Sequence, residues 1–194
     1  MRVENSLDGV LKCLTKVDYT FKLLMLGSAS TGKTTLSDRY ITGLFNPDIK
    51  LTVGVEFYVK TVQVYDASGT LKNVKLQIWD LGGENRFRFL LPTYCLGSSG
   101  ALFLYDITRV ETIHAITEWT GIVKEKNKGI PIILVGNKLD LEEHRKIPKE
   151  HGDQTAKQNE MVEFIEVSAK SGVNVEDVFN KITHLMMDNA TDRH

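Results

Sequence analysis

Gly27-Ser28-Ala29-Ser30-Thr31-Gly32-Lys33-Thr34 reads Gly-x4-Gly-Lys-Thr, and it stands between an apolar run, Phe21 to Leu26, and a helix-forming stretch, Lys33 to Tyr40. Strand, glycine loop and helix in that order is the context in which this pattern cradles phosphate. The chemistry explains the spacing. Loop N–H groups and the positive end of the helix converge on anionic oxygens, and glycine lets the backbone approach closely. Lys33 is placed to bridge the β- and γ-oxygens of a nucleoside triphosphate, with Ser30, Thr31, Gly32 and Thr35 completing the phosphate-binding set. The Thr34 hydroxyl is a candidate magnesium ligand, because that ion takes a near-octahedral shell of oxygens. The loop alone does not say which nucleotide is bound.

Around this unit the chain alternates strands and helices. Val53 to Tyr65 and Val74 to Trp79 are β-branched runs joined through Asp66-Ala67-Ser68-Gly69-Thr70, which predicts an antiparallel hairpin. Ala101 to Tyr105, Ile130 to Val135 and Val162 to Val167 are short apolar runs separated by helical segments. That alternation predicts a parallel, doubly wound α/β sheet. Val175, Val178, Phe179, Ile182, Leu185 and Met186 recur at three- and four-residue spacing, as in a helix with one face on a sheet.

The 194 residues are 42% hydrophobic and 25% charged, which fits one folded domain. The net charge of −1 supplies no global field toward nucleic acid or an anionic membrane. The two cysteines, Cys13 and Cys95, have neither metal-ligand nor disulfide-framework spacing, which favours a reducing, intracellular setting. There is no signal-peptide core after Met1 and no apolar run of the length a spanning helix needs, about 20 residues. Neither a myristoylated glycine after Met1 nor a prenylated cysteine near His194 is expected.

Two further motifs follow predicted strands, where ligand sites of α/β proteins lie. In Asn137-Lys138-Leu139-Asp140, the Asp140 carboxylate can accept both the N1–H and the exocyclic amino group of guanine, while repelling the acceptor edge of adenine. Ser168-Ala169-Lys170 is placed to complete that pocket, the Ala169 N–H directed at the guanine carbonyl. Asp80-Leu81-Gly82-Gly83 puts an aspartate where it can hold a magnesium-bound water and a glycine N–H where it can meet the γ-phosphate.

With these motifs in this order, the chain resembles the Ras superfamily of small GTPases from about Phe21 to Met187. Thr52-Val53-Gly54-Val55-Glu56-Phe57, the run Trp79 through Phe87 and Tyr105-Asp106-Ile107-Thr108 are most similar to the Rab branch. The resemblance implies a three-layer P-loop G domain: a mostly parallel six-stranded sheet with one antiparallel strand and helices on both faces. It implies GTP and GDP as ligands with Mg2+, held by Thr34, Thr52 and, through water, Asp80. It further implies that Phe45 packs on the guanine, that Gly83 senses the γ-phosphate, and that the segment through Arg86 and Phe87 reorders on hydrolysis. Effector, exchange-factor and activating proteins are expected at these switch segments. The expected state is a monomeric, cytoplasmic protein, peripheral to membranes through a partner.

Two positions depart from the family pattern. Ala29 replaces a common loop glycine, and Glu84 replaces the usual glutamine that orients the attacking water. Lys33, Gly83, Thr52 and Glu84 are therefore the candidate catalytic set, and slow hydrolysis is expected. A module that retains GTP with little turnover is the alternative. Residues 1–18 carry an apolar stripe, Val3, Leu7, Val10, Leu11 and Leu14, which predicts an amphipathic helix on the domain or a partner; a disordered tail and membrane contact are the other readings. The G domain is expected over 19–188, with a tail from 189 to 194. His114 and His184 are expected on helices, His144 and His151 in a polar connection, and Cys95 as a small buried residue.

Overall fold

The computed structural model describes residues 16–84 and 89–191. Along the chain lie β1 (Tyr19–Leu26), α1 (Lys33–Thr42), β2 (Val55–Tyr65), β3 (Leu71–Leu81), α2 (Leu91–Cys95), β4 (Gly100–Asp106), α3 (Glu111–His114), α4 (Ile116–Lys126), β5 (Ile132–Asn137), α5 (Lys149–Gln158), β6 (Glu163–Glu166) and α6 (Val175–Thr191). The strands form one sheet in the order β2-β3-β1-β4-β5-β6. β2 runs antiparallel to β3, and the other neighbours are parallel. This is the α/β architecture expected of the Ras-like fold.

Every residue of β4 and β5 is buried, which explains why their sequences are continuous apolar runs rather than alternating ones. On one face of the sheet, Leu36 and Tyr40 of α1 and Val178, Phe179, Ile182 and Met186 of α6 pack on Leu23, Met25 and Leu76. On the other, Leu91 and Cys95 of α2 and Ile116, Trp119 and Val123 of α4 pack on Leu24, Phe103 and Leu134. The Asp66–Thr70 turn closes as expected: Asp66 N–H donates to Thr70 O at 2.9 Å, and Asp66 Oδ1 accepts from Ser68 N and Thr70 N.

Boundaries moved where backbone pairing, not apolarity, decides them. Ile130 and Pro131 precede β5 because proline has no N–H for the ladder, and β5 runs on through Gly136 and Asn137 instead. α6 continues to Thr191, past Met186, the last residue of the expected apolar stripe. His151 lies in α5 rather than in a connection, because Pro148 precedes the helix and its carbonyl accepts from the His151 N–H at 3.0 Å. Of the expected N-terminal helix, residues 1–15 lie outside the described residues. Asp18 is not helical, its N–H donating to Asn73 O at 2.8 Å. Cys95 is fully buried, and burial pushes its thiol up to about 11. Among the described residues no helix is long and apolar enough to cross a membrane.

Tyr40 of α1 and Phe179 of α6 stack with ring centroids 3.8 Å apart and planes at 3°. They join the two helices on that face. Phe179→Ala should lower the unfolding free energy by about 3–5 kcal/mol in a urea titration. A loss below about 1 kcal/mol would show that the α1–α6 contact is not an anchor of the core.

Candidate functional site

Parallel pairing places the carboxyl ends of β1, β3, β4 and β5 along one edge of the sheet, and the expected motifs follow those ends. The β1–α1 loop is shaped by its glycines. Gly32 has φ 90°, and a Cβ there would collide with the Asn137 amide. Lys33 is 5% exposed, and its Nζ donates to Gly27 O at 2.8 Å and Ser28 O at 3.0 Å. Burial lowers its ammonium to about 8, partly offset by Asp80 and reinforced by Arg109.

Beside Lys33, three oxygen donors converge. Thr34 Oγ1 lies 2.6 Å from Thr52 Oγ1, and Thr34 Oγ1 also donates to Asp80 Oδ2. The Thr52 hydroxyl donates to the same Asp80 oxygen at 3.5 Å. Asp80 is fully buried, and burial is the main cause that raises its carboxyl to about 6. Its other oxygen, Oδ1, is buried without a hydrogen-bond partner among the described residues. A buried, unsatisfied carboxylate oxygen beside two hydroxyls suits a hard cation that prefers oxygen. The set fits magnesium.

Lys33 and the two threonines line a cleft of about 360 Å³. Ser30, Gly32, Lys33, Thr34 and Thr35 line it together with Thr52, Gly83 and Glu84. Gly83 touches the phosphate loop so closely that a Cβ would stand 2.5 Å from both Ala29 N and Gly27 O. The antiparallel ladder of β2 and β3 also continues one rung into the two facing loops, where Gly82 N–H donates to Gly54 O at 2.8 Å. Residues 85–88, with Arg86 and Phe87, lie outside the described residues.

A second cavity of about 190 Å³ shares Gly32, Thr35 and Lys138 with the first. Phe45, Asn137, Asp140, Ala169 and Lys170 complete its lining. The expected site residues are thus brought together, with three behind the walls. Thr31 is buried and its carbonyl accepts from Asn137 Nδ2 at 2.9 Å; Ser168 is buried and donates to Asp140 Oδ1 at 2.6 Å; Asp80 stands behind Thr34. The Ala169 N–H, expected to be directed at guanine, donates here to Asn137 Oδ1 at 3.3 Å. Asn137 therefore braces three loops at once.

Sequence reading overlooked a second brace. Asp106, fully buried at the end of β4, pairs with Lys138 Nζ at 2.7 Å and with Arg109 Nε at 3.2 Å. Arg109 Nη2 reaches on to Ala29 O at 2.8 Å. One carboxylate thereby ties the base-side loop to the phosphate loop. An acidic residue closing a fully apolar strand was the available signal.

A model of the Ras family matches residues 22–188. The chain belongs to the Ras family. Over 176 residues it is 40% identical to the Ras-related protein Rab-3D of Mus musculus and 39% identical to the Ras-related protein Rab-3B of Homo sapiens. Each alignment covers 90% of this chain and 78% of the relative. As a Rab-like member of the Ras family, the chain is a small GTP-binding switch protein.

Removing the Asp106 carboxylate would leave two cations near the cleft without their shared partner. Asp106→Ala should weaken GTP and GDP binding alike, by about tenfold or more, the scale of a lost charged hydrogen bond. Titration with fluorescent nucleotide measures this. Unchanged affinity for both nucleotides would remove Asp106 from the site.

Proposed function

We propose that this Ras-family protein is a slow switch. It binds guanine nucleotide with magnesium, hydrolyses GTP to GDP and phosphate at a low rate, and offers the loops around Thr52 and Glu84 to effector, exchange-factor and activating proteins. The observation that carries this reading is Glu84 in the lining of the same cleft as Lys33, Thr34, Thr52 and Gly83.

Lys33 and the N–H groups of its loop bind and orient the phosphates. The Thr34 and Thr52 hydroxyls, with Asp80 acting through water, are the groups to hold magnesium. When bound, that ion supplies Lewis-acid stabilisation of charge on the phosphate oxygens. Asp140 selects guanine by accepting two N–H groups, and the Ser168 hydroxyl fixes one of its oxygens at 2.6 Å. Phe45 supplies an apolar surface for the base, and Lys138 and Lys170 flank it.

Glu84 can accept a hydrogen bond from the attacking water, but it has no N–H to donate to the oxygens that gain charge. It also brings a like charge toward the phosphates. At about 4 Å and an effective dielectric of about 20, such a contact costs about 4 kcal/mol, a factor of about a thousand in rate. The Lys33 ammonium reduces that figure, so hydrolysis is slow rather than absent.

The protein-binding role is supported by the surface beside the switch loops. Phe57 is half exposed and stands edge-on to Trp79, centroids 5.5 Å apart, and Trp79 in turn leans on Tyr94. Exposed aromatic residues on a rigid sheet are suited to anchoring a partner.

Glu84→Gln restores an amide donor and removes the charge. Its single-turnover hydrolysis of GTP should be faster than that of the native chain, by between about tenfold and a thousandfold, with little change in GTP affinity. A variant no faster than native would refute the role given to Glu84.

A further inference from the structure

The carbonyls of the phosphate loop are held one by one. Lys33 Nζ takes those of Gly27 and Ser28, and the Thr31 hydroxyl also donates to Ser28 O at 3.0 Å. Asn137 Nδ2 takes Thr31 O, and the Leu36 N–H of α1 donates to Gly32 O at 2.8 Å. Ala29 O is gripped from the connection between β4 and α3, by Arg109 Nη2 at 2.8 Å. In a trans peptide the C=O and the following N–H point in opposite directions. The Ser30 N–H is therefore turned away from Arg109. Ala29 and Ser30 line the cleft, while Arg109 stands outside its lining.

The gripped peptide leads into a strained residue. Ser30 has φ 60°, the left-handed region that a residue with a side chain adopts at a cost, whereas the loop's other positive-φ positions, Gly27 and Gly32, are glycines. Rotation of the Ala29–Ser30 peptide changes Ala29 ψ and Ser30 φ together. Half a turn would carry Ser30 φ from 60° to about −120°, where a side chain meets no clash. It would also exchange the two polar groups, putting Ala29 O where the Ser30 N–H had been. A carbonyl there repels the anion that an N–H attracts.

Arg109 is placed to oppose that flip. Its guanidinium is a fork: Nε donates to Asp106 Oδ2 at 3.2 Å while Nη2 holds Ala29 O. Asp106 is fixed in turn, its Oδ1 accepting from the Thr108 N–H at 2.9 Å and the Thr108 hydroxyl at 2.7 Å. The Arg109 backbone is pinned as well. Its N–H donates to Asp106 O at 3.0 Å, and its carbonyl accepts from the Thr112 N–H at 3.1 Å and the Thr112 hydroxyl at 2.6 Å. Root and head of the side chain are both held by groups outside the phosphate loop.

We infer that Arg109 is a positioning residue for the nucleotide's phosphates: by gripping Ala29 O it blocks the flip that would relieve Ser30, and so keeps the Ser30 N–H aimed at a phosphate oxygen. Arg109 acts through the main chain, from outside the cleft lining. The inference rests on this loop being the seat of the nucleotide's phosphates, and it is independent of Glu84 and of the rate of hydrolysis.

Release of fluorescent GDP, followed on the full chain with magnesium present, tests this. Arg109→Met should release GDP about tenfold faster than the native chain, the scale of one lost charged hydrogen bond. Arg109→Lys keeps the charge, but one ammonium cannot span Asp106 and Ala29 as the fork does, so it should also release GDP faster. In a Ser30→Gly background the left-handed φ costs nothing and the flip relieves nothing. There, adding Arg109→Met should change the rate by less than about threefold relative to Ser30→Gly alone. Equal effects of Arg109→Met in both backgrounds would overturn the inference, by making Arg109 a general support of the fold. A native rate in Arg109→Lys would overturn it too, by making charge alone sufficient. GDP binding whose release Arg109→Met leaves unchanged would sink this inference only, whereas a native chain that binds no GDP would sink the reading of the phosphate loop with it.

Discussion

Parallel pairing of β1, β3, β4 and β5 is the constraint on which the rest of this structure depends. It forces the loops that follow these strands onto one edge, where Lys33, Asp80, Asp106 and Asn137 come within reach of one another although they are far apart in sequence. None of these side chains would be tolerable alone. Each is buried and polar or charged, and each is offset by partners from its own loop or another: Lys33 by the carbonyls of its own loop and by Asp80, Asp80 by Thr34 and Thr52, Asp106 by Lys138 and Arg109, Asn137 by Thr31 and Ala169. The energetic logic is that of a buried polar network, which is costly when half satisfied and rigid when complete.

The sheet could be read from sequence because its signals are local. Phe21 to Leu26, Ala101 to Tyr105 and the period of α6 are visible as runs and repeats, and the three motifs announce themselves by residue type and spacing. Long-range pairing was less legible. Nothing in the sequence near Asp106 says that Lys138, 32 positions later, will be its partner, or that Arg109 will reach back to Ala29. Boundaries were missed for a related reason. Pro131 and Gly136 are placed by the ladder they enter, so apolarity alone misjudged where β5 begins and ends.

The hydroxyl and carboxylate cluster behind the cleft shows how local chemistry and global fold divide the work. Thr34 is fixed by the first turn of α1, Asp80 by the end of β3 and Thr52 by the connection before β2. Two of the three donors rest on regular elements and one on a loop. A site built this way sets two donors on regular backbone and one on a connection that is freer to move.

The rung between Gly82 and Gly54 has a mechanical consequence. It couples the segment before β2 to the segment after β3, because the backbone of one is stapled to the backbone of the other just where each meets its strand. A pull on one segment is therefore passed to the other through the main chain.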